Sequence, residues 1–160
     1  MTPPYTSELR MADVGEKPAT RRTAHARGFL LLGKEAFAHL SGGTLGKGDA
    51  WTAAKLAGML AAKRTHELIP LCHPLPLDRI GVDIECMPDR QAVRVDAEVS
   101  AFAKTGVEME ALQAVSSALL TLYDMCKPYG QDILIEKIYL VSKTGGKSGD
   151  YESRRSYDIR

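Results

Sequence analysis

Two runs of strict alternation constrain this chain more than any other feature. Ile80, Val82, Ile84 and Cys86 alternate with Gly81, Asp83 and Glu85, and Val93, Val95, Ala97 and Val99 alternate with Arg94, Asp96 and Glu98. Successive side chains of an extended chain point to opposite faces, so each run gathers its apolar set on one side. With the turn Met87 to Arg90 between them, the two runs predict a hairpin with one wet face. The other face needs apolar cover. Ala111, Leu112, Val115, Ala118, Leu119, Leu122 and Met125 recur at three and four, which predicts a long helix starting after Thr105 and Gly106 and ended by Pro128.

The remaining elements follow from shorter signals. Phe29 to Leu32 predicts a short strand, and Lys34 to Leu40 a short helical turn ended by Ser41, Gly42 and Gly43. Asp49 is a good N-cap for a helix from Ala50 to about Glu67, with Trp51, Leu56, Met59, Leu60 and Lys63 forming its stripe. Pro70, Pro74 and Pro76 make Leu68 to Leu77 a rigid extended loop. Ile133 to Val141 is apolar on both parities, which suits a central or covered strand. The order strand, helix, strand, strand, helix, strand predicts an α+β, ferredoxin-like fold, an antiparallel sheet with helices packed on one face. Residues 1–27 read as an N-terminal arm, 28–150 as a single ferredoxin-like domain and 151–160 as a C-terminal tail.

Composition excludes several classes. Lys plus Arg number 21 against 20 Asp plus Glu, so the net charge of +1 supplies no broad field for nonspecific nucleic-acid binding. Any anionic ligand must be met by a local cluster. No apolar run in Met1 to Arg10 reads as a signal peptide and no stretch approaches a membrane span, which points to a soluble, cytoplasmic chain. Cys72, Cys86 and Cys126 are odd in number and lack CxxC spacing, against both a disulfide framework and a zinc knuckle. Cys86 and Cys126 read as buried apolar thiols.

Two glycine-lysine loops, Gly42 to Asp49 and Lys143 to Asp150, could bring backbone amides and lysine charge to an anion, or could be plain surface turns. Neither has Walker A spacing. His73 sits in the proline-braced loop, displayed as a ligand-facing group or kept as a structural histidine. Cys72 and His73 are adjacent in an extended segment and point apart, so they do not form a nucleophile and base pair. Glu108, Met109 and Glu110 open the long helix, where carboxylates are favoured by the dipole whatever the function. Asp124 and Lys127 share one helical face at its far end, either as an acid/base pair or as a surface ion pair. Pro128 cannot donate to the carbonyl of Asp124, so that last turn must open, and the negative helix end would let Asp124 exchange a proton near neutrality.

Taken together, MADVGEKP from Met11, GKGD from Gly46, AAKRTHELIPLCHPLPL from Ala61, TGVEMEALQAVSSALLTLYDMCK from Thr105 and KTGGKSGD from Lys143 closely resemble the cyclic pyranopterin monophosphate synthase (MoaC) family of molybdenum-cofactor biosynthesis. The resemblance covers about residues 11 to 150 and implies that the domain is catalytic, a lyase. It implies a 3′,8-cyclised dihydroguanosine triphosphate as substrate, supplied by the radical SAM enzyme of the pathway, with cyclic pyranopterin monophosphate and pyrophosphate as products. It implies Asp124 and Lys127 as acid/base residues with Lys47 close to the chemistry. Leu71, Cys72, His73, Met109, Glu110 and Glu108 become substrate contacts, and Arg22, Lys63 and Lys147 phosphate holders. No metal ligands and no redox cofactor are implied, Mg2+ being compatible with the triphosphate or pyrophosphate, and the assembly implied is a homohexamer, a trimer of dimers. Pro128 departs from the small residues common in the family after the YDMCK lysine, and the tail from Tyr151 matches nothing in it. The alternative is a non-catalytic ferredoxin-like module binding a nucleotide or RNA, against which stands the lack of an exposed aromatic pair on the interior strands: only Phe102 and Tyr139 lie near the sheet.

Overall fold

A computed structural model describes residues 8–147 and 149–154. The hairpin forms as its alternation requires: β2 (Arg79–Met87) and β3 (Ala92–Ala103) pair antiparallel with Val82 opposite Ala97 and Ile84 opposite Val95. Their connection is a 3-10 turn, Pro88–Arg90, closed by Gln91 in the left-handed region. The sheet is completed by β1 (Thr20–Leu31), β4 (Leu134–Thr144) and the two-residue β5 (Tyr151–Glu152), in the order β2-β3-β1-β4-β5. Every neighbouring pair is antiparallel. Helices α1 (Lys34–Ser41), α2 (Ala50–Lys63), α3 (Thr65–Leu68) and α4 (Glu108–Cys126) complete the α+β fold, with α2 and α4 packed on one face of the sheet. This is the ferredoxin-like arrangement.

The core lies between the sheet and that helical layer. Ala111, Val115, Ala118, Leu119 and Leu122 of α4 are fully buried against Ala26, Leu30, Val95 and Val99, as the stripe predicts. The opposite sheet face carries a small apolar cluster of Phe29 and Ala92 with Leu31, Met87 and Tyr139. Beside it, Asp96 accepts from His25 Nε2 at 2.6 Å, Arg27 Nε at 2.8 Å and Arg94 Nε at 2.7 Å.

Four expectations are corrected. β1 starts at Thr20, so residues 20–27 are strand and not arm; its inward side chains there include Ala24 and Ala26, too small to mark an apolar run. α2 buries Ala50, Ala54, Gly58 and Ala62, whereas Leu56 and Leu60 are each 56% exposed. The α2–α4 contact is made by small side chains: a Cβ on Gly58 would lie 2.9 Å from the Ala114 carbonyl oxygen. α2 ends at Lys63, because the buried Thr65 hydroxyl donates to the Ala61 and Ala62 carbonyls and the chain turns at Arg64 before α3. β4 stands between β1 and β5 as an interior strand, but only Ser142 and Lys143 pair on its outer side, so most of that side has no strand beside it. Among the thiols, Cys126 is buried, which pushes its pKa up to about 11, while Cys86 is only half-buried.

Candidate active site

Three predicted residues converge where α4 ends. Pro128 follows one residue into the 3-10 turn Lys127–Tyr129 and leaves the Asp124 carbonyl without a backbone donor. The Lys47 ammonium supplies one, donating to that carbonyl oxygen at 3.2 Å, and pairs also with the Asp124 carboxylate. Lys127 Nζ lies 2.8 Å from the other carboxylate oxygen. Lys47 is delivered by the glycine-lysine loop, which is anchored by the buried Leu45, by the Gly46 amide donating to the Tyr129 hydroxyl at 2.8 Å, and by Asp49 capping α2 through the Thr52 amide at 3.1 Å. Two ammonium groups at a helix C-terminus also complement its dipole.

This geometry overturns the expectation that Asp124 exchanges a proton near neutrality. The hydrogen bonds from Lys127 and then Lys47 hold its carboxyl at about 2, and the same pair raises Lys127. In the resting site Asp124 is an ionised acceptor and the lysines carry the protons. Asp124 can take a proton once a ligand draws the ammonium groups away.

A second cluster surrounds the N-terminus of α4. A cavity of about 420 Å³ is lined by Arg22, Glu108 and Lys147 together with Lys17, Lys104, Lys143 and Thr20. Arg22 is fixed by its Nε and Nη2 donating to the carbonyls of Ala103 at 3.4 Å and Lys104 at 3.5 Å. The positive-φ glycines Gly145 and Gly146 cross directly over it, and a Cβ on Gly146 would fall 1.7 Å from Arg22 Nη1. Lys143 Nζ lies 2.8 Å from Glu108 Oε1, and Lys104 donates to the Gly15 carbonyl at 2.6 Å. The buried Thr20 hydroxyl has no hydrogen-bond partner among the described residues. Five cations against one carboxylate make this cavity fit for a polyanion.

Glu110 is only 4% exposed, and burial pushes its pKa up, with its own amide lowering it, Glu108 raising it and His66 lowering it. The Cys72 thiol is likewise raised by burial and by the charge of Glu110, which places the proline-braced loop beside this end of α4. His73 is half-buried, and Leu71 and Met109 are exposed. Lys63 stands apart, at the end of α2 beside Leu77 and Arg79, and does not line the cavity that holds Arg22 and Lys147.

Apart from Lys63, the candidate residues thus form two groups at opposite ends of one helix. At 1.5 Å per residue, Glu108 and Asp124 lie about 24 Å apart along α4, farther than one compact cyclised nucleotide reaches. Sequence reasoning missed Lys17, Lys104, Lys143 and Thr20 in the cavity. Lys143 stood at the edge of a motif already singled out, but nothing in the spacing tells it from a solvated lysine. Among the described residues no cluster of His, Cys, Asp and Glu is suited to a metal, and no helix is long and apolar enough to cross a membrane.

Comparison with known proteins bears on the same residues. The sequence profile of the MoaC family matches residues 11–146. A cyclic pyranopterin monophosphate synthase of Desulforapulum autotrophicum is 48% identical over 92% of this chain and 90% of its own. One of Clostridium botulinum is 49% identical over 88% and 89% respectively. A molybdenum cofactor biosynthesis bifunctional protein of Synechococcus elongatus is 49% identical over 89% of this chain, which spans 44% of that protein. The match takes in both ends of α4, the GKGD loop and the proline-braced loop, and the chain belongs to the MoaC family.

Proposed function

We propose that this chain is a cyclic pyranopterin monophosphate synthase, which rearranges a 3′,8-cyclised dihydroguanosine triphosphate and expels pyrophosphate. The observation that carries the reading is the Lys47, Asp124 and Lys127 constellation on an opened helix end, facing relatives of that printed name. Closing the cyclic phosphate moves a proton off the attacking hydroxyl, and ring rearrangement adds further proton transfers. Asp124 is the acceptor and Lys127 and Lys47 the donors, with the five cations of the cavity holding the leaving polyphosphate. Leu71, Cys72, His73, Met109 and Glu110 contact the base-derived part. No redox cofactor enters, and Mg2+ serves at most as a counter-ion of the phosphates. The substrate comes from the radical SAM enzyme that cyclises guanosine triphosphate.

The two groups of residues become one site when each subunit contributes one end of α4 to its neighbour, which supports the homohexamer, a trimer of dimers. Incubation with the cyclised triphosphate and single-turnover measurement of pyrophosphate tests the chemistry. Asp124→Asn and Lys127→Ala should each fall by roughly two orders of magnitude; rates within a few-fold of the native chain would reduce the pair to a surface ion pair. Co-refolding Asp124→Asn with Lys143→Ala should restore about a quarter of native activity, since half the dimers are mixed and each has one intact site. Lys47 and Asp124 variants should not complement, because both stand in the same half of one chain. The non-catalytic RNA module loses support: among the described residues the exposed aromatics of the sheet are Phe102 on β3 and Tyr151 on β5, separated by two strands, while Tyr139 packs in the apolar cluster.

A further inference from the structure

We infer that Tyr129 is a positioning residue for the chemistry at Asp124, its hydroxyl latching the turn that carries Lys47 to the turn that carries Lys127. The inference deepens the proposed reading and rests on it in one respect, that Lys47 acts in the proton transfers. The side chains of Lys47 and Asp124 are 47% and 52% exposed, and an ion pair so open to water holds its partners weakly. The place of the Lys47 ammonium is therefore set by the backbone beneath it.

That backbone is a turn closed by the Gly48 amide donating to the Leu45 carbonyl at 3.0 Å. Buried Leu45 fixes its start, and the Asp49 cap fixes the chain beyond it. Gly46 and Lys47 between them are exposed. Among the described residues the Tyr129 hydroxyl, accepting from the Gly46 amide at 2.8 Å, is the one side chain from elsewhere that holds the backbone of the turn. The approach is close, since a Cβ on Gly46 would lie 3.3 Å from that oxygen. Tyr129 is itself held on two sides. It ends the 3-10 turn that Lys127 opens, with the φ of Pro128 locked between them, just past the YDMCK motif. Its ring lies over the His39 imidazole of α1, centroids 4.1 Å apart and planes tilted by 31°. His39 Nδ1 in turn lies 2.8 Å from the Thr44 hydroxyl, one residue before Leu45. Two linked rings thus hold the loop at Thr44 and at Gly46, and through them the Lys47 and Lys127 ammonium groups keep a fixed spacing across Asp124. Without the hydroxyl the exposed Gly46 amide can bond water instead, so the turn is free to shift and the lysine with it. A misplacement of about 1 Å at a reacting group can cost about a hundredfold in rate.

Tyr129→Phe, which keeps the ring on His39 and removes only the hydroxyl, provides the test. Single-turnover pyrophosphate release at saturating cyclised triphosphate should fall at least about tenfold. Pyrophosphate affinity by calorimetry should stay within about twofold of native, because the cations of the cavity stand at the other end of α4. A second readout would not move if the hydroxyl served folding alone. Followed by carboxyl-carbon NMR and assigned through Asp124→Asn, Asp124 should titrate at a higher pH in Tyr129→Phe, as the Lys47 bond that helps to hold it down loosens. Native turnover in Tyr129→Phe, or an unchanged Asp124 titration, overturns the inference, and so does a pyrophosphate affinity that falls as far as the rate. The titration needs no substrate, so it separates the latch from the catalytic reading, whose failure shows as a native chain that releases no pyrophosphate.

Discussion

Gly58→Ala sets two effects of known size against each other. Alanine in place of glycine within a helix favours folding by about 1 kcal/mol. Against that, the added Cβ would stand 2.9 Å from the Ala114 carbonyl oxygen, 3.2 Å from Val82 Cγ2 and 3.5 Å from Ala118 Cβ. The first neighbour is the backbone of α4, which cannot rotate away as a side chain could. Relief requires α2 and α4 to part by several tenths of an ångström along their shared face, and overpacking of this kind costs typically about 1–3 kcal/mol. The backbone contact puts the cost toward the upper part of that range, so the loss should prevail, by up to about 2 kcal/mol, lowering the melting temperature by as much as about 8 °C for a domain of this size. Displacement of α2 also carries off Asp49 and the Lys47 loop, so Lys47 should lose its hold on Asp124 and turnover should fall with the fold intact. Thermal unfolding at fixed protein concentration, paired with single-turnover pyrophosphate release, measures both. Gly81→Ala is the control, because its Cβ would meet nothing nearer than the Glu98 carbonyl at 4.0 Å. A Gly58→Ala chain that melts at or above the native temperature would refute the close α2–α4 contact.

Acid stability isolates the network on the open sheet face. Burial acts to raise the Asp96 pKa, but the bonds from His25, Arg27 and Arg94 outweigh it and lower the value to about 2. A depressed carboxylate contributes stability that is full above its unfolded pKa and lost as pH falls through the folded one. Between pH 5 and pH 2 the native chain should therefore lose on the order of 2 kcal/mol more than Asp96→Asn in urea unfolding; parallel pH courses would show that the network is not coupled to folding. Gly146→Ala, at φ +87 and over Arg22, should displace that guanidinium and weaken pyrophosphate binding roughly tenfold by calorimetry, about 1.4 kcal/mol. Unchanged affinity would mean that Arg22 does not face the bound anion.

By itself the sequence determined the hairpin, the long helix and its end, because alternation in β2 and β3 and the stripe of α4 are local patterns with large apolar residues on the inward side. It determined the cap at Asp49 and the opened turn at Pro128 for the same reason: each depends on bonds within a few residues. The start of β1 and the inward face of α2 were hidden, since Ala24, Ala26, Ala54 and Gly58 are selected by how closely another element approaches, and small residues carry no apolar signal. Leu56 and Leu60 were misassigned to the core on hydrophobicity, whereas tertiary packing leaves them outside. The motifs singled out Asp124 and Lys127 but not the ionisation of Asp124, which Lys127 and, from a distant loop, Lys47 hold low. Tertiary structure alone gathered Lys17, Lys104 and Lys143 around Arg22 and held them a helix length from Asp124, because only the folded path of the chain fixes distances between charges that the sequence scatters.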